Sequence, residues 1–187
     1  MNVMYVGGIS GVGKTTVLRV FESAYGGTAS LSVVYMSKEI DVLSASKYGK
    51  AFYDMTPAEK LEVHKSLAVK ISSTDAQIAI LDSHYTHIDE STFRVDCLLS
   101  DPMREICNCY VVLRADAKDI LDRRINDILK HRNSHDVRTI AKEETIEITE
   151  ARRVSEETSV HLYIVTNKDV GQTASELRHI LRKEYGI

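Results

Sequence analysis

Lys14 and Thr15 close an eight-residue run, Gly8-Ile9-Ser10-Gly11-Val12-Gly13-Lys14-Thr15, that matches G-x-x-x-x-G-K-[ST] at every fixed position. Each residue type answers a need of phosphate chemistry. Glycine lets the backbone curl until successive N–H groups point inward at anionic oxygens. A helix beginning at Gly13 adds the positive end of its dipole to the same place. The Lys14 ammonium reaches β- and γ-phosphates, and the Thr15 hydroxyl offers magnesium an oxygen. Ser10, Val12 and Thr16 complete the wall of the nest. The run predicts a site for ATP and Mg2+.

A second element suits the metal. Ile78-Ala79-Ile80-Leu81-Asp82 is an apolar run ending in a carboxylate, the usual form of the acid that holds magnesium in phosphate-loop proteins. An aspartate capping the next turn is the plainer alternative, since Asp82-Ser83 is good turn chemistry. His84 and His87 follow, and without a third nearby ligand they read as polar lining rather than a metal pair. The third signal is arginine. Arg123, Arg124, Arg132, Arg138, Arg152 and Arg153 fall close together, with Arg132 and Arg138 in the polar stretch Lys130-His131-Arg132-Asn133-Ser134-His135-Asp136-Val137-Arg138. Glu143, Glu144, Glu147, Glu150, Glu156 and Glu157 would balance some of them on a solvated helix face. The rest suit a hinged flap over about 130–140 whose guanidinium groups fold over a moving phosphoryl group and exclude water. His131 and His135 have zinc-like spacing but lack cysteine partners.

The elements that must position these groups follow from periodicity. Short apolar runs at Val3–Val6, Leu31–Met36, Ile78–Leu81, Cys109–Leu113 and Leu162–Val165 alternate with helical patterns, as in a parallel sheet flanked by helices. Several runs are apolar throughout, which fits strands buried on both faces. Thr56, Pro57 and Glu59 open one helix with a capping box. Asp116 and Asp119 open another, and a last one starts near Gln172. The expected fold is a three-layer α/β phosphate-loop domain over 1–187. In such sheets ligands gather at the carboxyl ends of the strands. There the loop meets the segment after the second strand, which begins a candidate acceptor region at about 37–74, and Asp82 to Arg94. A net charge of −3 argues against a nucleic-acid partner. Cys107 and Cys109 read as buried thiols of a reducing compartment. The absence of a long apolar run predicts no membrane span and a cytoplasmic protein. Alternative apolar stripes on the helices leave a homo-oligomer open.

With these residues in view, the chain resembles the nucleoside monophosphate kinases of the phosphate-loop fold, and among them the adenylate kinases of archaeal type. Gly8–Thr15 is similar to the family's first motif, Leu81-Asp82-Ser83-His84 to the Asp-x-His ending its third strand, and Arg123-Arg124 with His131-Arg132 to its lid. Thr166-Asn167-Lys168-Asp169 resembles the segment on which adenine rests. The resemblance implies a five-stranded parallel sheet and phosphate transfer from Mg-ATP to a nucleoside monophosphate, AMP above all. It implies that Lys14, Arg124 and Arg132 meet the transferred group, with Arg123 and Arg138 next. Thr15 and Asp82 would organise the metal.

The chain departs from that family in one respect. Family members clamp the acceptor phosphate with arginine after the second strand, whereas here none occurs between Arg19 and Arg94. Lys38, Lys47 and Lys50 are the cations in the first part of that segment, and lysine lacks the bidentate fork. Either Lys38, Lys50, His84 and Arg94 share the acceptor, or the acceptor is a hydroxyl compound with Glu39, Asp41 or Asp82 as base. A regulatory module that binds ATP is a further alternative. A guanine switch is disfavoured: Asn167-Lys168-Asp169 brings the aspartate one place early, and Asp-x-x-Gly is missing.

Overall fold

Alternate residues of the first strand, β1 (Asn2–Gly7), feed two different cores. Met4 and Val6 point to one, Val3 and Tyr5 to the other, as the two-residue repeat of a strand requires. The computed structural model describes residues 1–26, 31–88, 95–127 and 136–186. In it β1 lies at the centre of a five-stranded parallel sheet. The other strands are β2 (Leu31–Tyr35), β3 (Ile78–Asp82), β6 (Cys109–Arg114) and β7 (Leu162–Thr166), in the order β2-β3-β1-β6-β7. The three central strands are buried almost throughout, which is why their sequences are apolar without alternation.

Helices cover both faces. On one side α1 (Lys14–Tyr25) and α7 (Val170–Tyr185) pack Val17, Leu18, Phe21, Leu177 and Leu181 against the sheet, and α5 (Ala117–Asn126) adds Ile120. On the other, α2 (Met36–Tyr48) contributes Met36, α3 (Pro57–Ser72) Leu67 and Ile71, and α4 (Asp101–Ile106) Met103. The long helix α6 (Val137–Thr158) brings Ile140 to the first core and Ala151 and Val154 to the second. The five-stranded α/β architecture is thus the one expected, and no helix among the described residues is long and apolar enough to cross a membrane.

Details differ from the sequence reading. Met36 is the first residue of α2 rather than the last of β2, so the polar segment after the second strand is mostly helical. Two three-residue strands, β4 (Thr86–Ile88) and β5 (Val95–Cys97), pair antiparallel after β3; runs so short carry no readable period. Arg138 is not in a loop. Asp136 caps α6, accepting from the Arg138 and Thr139 N–H groups, and Arg138 sits exposed in the first turn. Cys107 ends α4 while Cys109 opens β6; both are buried, and burial pushes the Cys109 thiol up to about 12.

Candidate functional site

The sheet order places the loop after β1 between the ends of β3 and β6. That loop, Gly8 to Gly13, runs straight into α1, with Gly13 as its N-cap. Gly8, Gly11 and Gly13 have φ of 139°, 87° and 98°, so the curl rests on backbone that side chains rarely allow. At Gly13 a Cβ would also stand 2.5 Å from Asn167 Nδ2. Gly7, just before the loop, is constrained by contact alone. Its Cβ would meet the Tyr85 ring at 2.3 Å.

Lys14 is buried beneath the nest, its ammonium donating to the Gly8 carbonyl and, at 3.4 Å, to that of Ile9. Thr15 on α1 donates its hydroxyl to Asp82 Oδ2 at 2.9 Å, joining the loop to the end of β3. Parallel pairing explains the meeting: Val6 and Asp82 are register partners, so the two strands end side by side. Thr16 is exposed on the same first turn of α1.

From α5 two guanidinium groups reach the loop. Arg123 Nη1 donates to the Val12 carbonyl at 2.9 Å. Arg124, only 6% exposed, donates Nε to the Ser10 carbonyl at 2.9 Å and Nη2 to Glu143 on α6 at 2.6 Å. Asn167, past the end of β7, donates Nδ2 to Val12 at 2.8 Å while its Oδ1 accepts from Thr173. The predicted Lys14, Thr15, Asp82, Arg123, Arg124 and Asn167 therefore converge on one loop. Arg132, Arg94, Lys130, His131 and His135 lie outside the described residues.

The acceptor-side lysines are placed differently. Lys50 is ion-paired with Glu59 at 2.9 Å, Lys47 donates to Ser66, and Lys70 holds Glu39 at 2.6 Å. Lys38 is exposed in the first turn of α2, and His84 lends its carbonyl to the Tyr5 hydroxyl at 2.5 Å. Arg153 belongs to the solvated face that the sequence suggested, bound to Glu150 and Glu157.

Three acids assigned by sequence to that solvated face are instead part of the site. Glu143 holds Arg124, Glu144 accepts from the Ala115 N–H at 3.0 Å, and Glu147 is 1% exposed beside the loop. The signal was present. Ile140, Glu144, Glu147, Ala151 and Val154 fall on one helical stripe, so two of the acids occupy core-facing positions.

A family profile described as AAA domain matches residues 7–147, most of the chain. The chain belongs to the AAA domain family. No curated protein matches its sequence. Among solved structures, this AAA domain protein is similar to the shikimate kinase of Acinetobacter baumannii in complex with shikimate. The match has 16% identity, spans 99% of this chain and 95% of that one, and gives a TM-score of 0.59. It is also similar to the shikimate kinase of Bacteroides thetaiotaomicron, at 13% identity over 97% and 98% of the two chains with a TM-score of 0.52. A gluconokinase from Sinorhizobium meliloti 1021 matches at 14% identity over 99% and 96%, TM-score 0.51. At these identities the shared property is the fold, a phosphate-loop kinase fold.

Proposed function

We propose that this protein is an ATP-dependent phosphotransferase that moves the γ-phosphoryl group of Mg-ATP to a hydroxyl of a small metabolite. The observation that carries the reading is Lys14, Thr15 and Asp82 gathered at a loop of three positive-φ glycines. The donors fit magnesium. A hydroxyl and a carboxylate are hard oxygen ligands, and Mg2+ takes few protein ligands and completes its shell with phosphate oxygens and water. When bound, the ion would supply charge neutralisation between the β- and γ-phosphates.

The chain's own groups account for the rest. Backbone N–H groups of the loop and the start of α1 hold the phosphates, and Lys14 exchanges the Gly8 carbonyl for phosphate oxygens. Arg123 and Arg124 are close enough to turn toward charge that builds on the moving group. The acceptor oxygen forms its bond to the γ-phosphorus as the bond to the β–γ bridging oxygen breaks, and ADP leaves. A hydroxyl must also lose its proton. Of the carboxylates considered, Glu39 is held by Lys70, Asp41 is exposed on α2 and Asp82 is given to Thr15 and the metal, so the proton passes to an oxygen of the transferred phosphoryl group.

The hydroxyl acceptor is favoured by charge. A monophosphate would bring a dianion to a segment without arginine, where Lys47, Lys50 and Lys70 are engaged by neighbouring side chains. The similar folds include enzymes named for shikimate and gluconate, both hydroxyl-bearing. A second reading, transfer to AMP or another nucleoside monophosphate, is favoured by the likeness of Leu81–His84 and Arg123-Arg124 to adenylate kinases of archaeal type. An acceptor panel separates them. ADP formation from Mg-ATP is measured with shikimate, gluconate, nucleosides, each monophosphate, and no addition. Acceleration by a hydroxyl compound is expected. Acceleration by a monophosphate alone selects the second reading, and a flat response across the panel leaves an ATP-binding regulatory module.

A further inference from the structure

Glu147 is buried to 1% exposure, yet its four hydrogen-bond donors among the described residues are all neutral. Its Oε1 accepts from the Gly8 N–H at 2.9 Å and the Tyr85 N–H at 2.8 Å. Its Oε2 accepts from the Thr86 N–H at 2.9 Å and the Thr86 hydroxyl at 2.6 Å. A carboxylate at a core-facing position is costly to bury, and an apolar side chain there would serve packing as well or better. What an apolar side chain cannot do is join two backbone segments. One is the peptide that opens the phosphate loop. The other begins three residues after Asp82 and leads into β4.

The join has a direction on each side. Gly8 gives its N–H to Glu147 and its carbonyl to the Lys14 ammonium, so a single residue, with a peptide unit on each side of its Cα, links the helix carboxylate to the phosphate-binding cation. On the other side the Tyr85 ring lies against Gly7, and the residue just before it, His84, is a candidate for the acceptor. A shift of the Gly8 backbone as Lys14 turns to a ligand changes the geometry at Oε1, which Tyr85 shares.

We propose that Glu147 is a positioning residue coupling the phosphate loop to the segment after β3, so that loading of the donor site sets the acceptor wall. The proposal rests on the reading of the loop as an ATP site, and the test keeps the two apart. The 15N-labelled protein is titrated with Mg·ADP, following backbone amides by NMR with calorimetry alongside. In the wild type the Gly8, Tyr85 and Thr86 resonances are expected to move together with one midpoint.

In Glu147→Gln the Gly8 response remains while those of Tyr85 and Thr86 are lost, and the Kd for Mg·ADP rises about tenfold. Thr86→Val removes one of the four bonds and keeps the carboxylate. It is expected to shrink the Thr86 response by about half, and it carries the test if Glu147→Gln fails to fold. Val154→Ala, on the same helix away from the loop, lowers Tm and leaves the coupled shifts intact. Tyr85 and Thr86 still moving with Gly8 in Glu147→Gln, or standing still in the wild type, would overturn the coupling. A wild-type Gly8 that ignores Mg·ADP, with no heat of binding, would remove the ATP reading and this inference with it.

Discussion

Arg124 holds a loop carbonyl with Nε and an acid with Nη2, two separate donors of one rigid planar fork. Its side chain is 4% exposed and that of Glu143 19%, so the pair works in a medium where charge is poorly screened. Arg124→Lys keeps the charge and loses the fork. We expect kcat/KM for ATP to fall about tenfold as the Ser10 contact goes. A double-mutant cycle with Glu143→Gln should return a coupling of about 1–3 kcal/mol in stability. A coupling near zero would mean that the guanidinium acts on the loop alone. The sequence pointed to this arginine but not to its partner. An arginine near a phosphate loop has an obvious ligand, whereas an acid four residues from Glu147 on a charged helix looks like solvated surface until the helix phase is known.

The helix α3 shows how much an element can reveal before it is seen. Thr56 accepts from the Glu59 N–H while the Glu59 carboxylate takes the Thr56 N–H at 2.8 Å, the reciprocal box that the spacing Thr56-Pro57-Ala58-Glu59 predicts. Lys50 then closes on the same carboxylate. The Thr56 N–H, Lys50 and the Thr56 hydroxyl together hold Glu59 at about 2, below its usual 4.5. A carboxylate with a lowered pKa stabilises the folded state above its unfolded value and loses that contribution as pH falls toward the folded one. The Tm gap between wild type and Glu59→Gln should therefore be full at pH 7 and close between about pH 5 and pH 2. Thr56→Ala should cost about 1 kcal/mol, or about 2–4 °C in Tm. Caps and buried strands were legible because their causes are local. The β4–β5 pair and the placement of Arg138 were not, since three-residue strands are too short to show a period and the position of Arg138 depends on where α6 starts.

At the scale of the whole molecule the site lies on a seam. Residues from both cores end at the loop: Val6, Ile9 and Ile120 from one, Tyr5 and Tyr85 from the other, and α6 contributes to each. A ligand gripped there by the loop, Asp82 on β3, Arg123 on α5 and Asn167 after β7 bears on elements from both sides of the sheet at once. Binding should therefore raise the cooperative unfolding transition as a whole rather than sharpen one part of it. For a ligand at about a hundred times its Kd, linkage gives about 2.7 kcal/mol, which for a chain of this size is about 5–10 °C in Tm. Mg-ATP should produce that shift in a thermal melt, and excess EDTA should reduce it, because in the proposed site Thr15 and Asp82 would act through the metal. Lys14→Ala removes the ammonium proposed to meet the phosphates while leaving the sheet intact, so its own melt should lose most of the ATP-dependent shift. An ATP response as large in Lys14→Ala as in the wild type would place the nucleotide somewhere other than this loop.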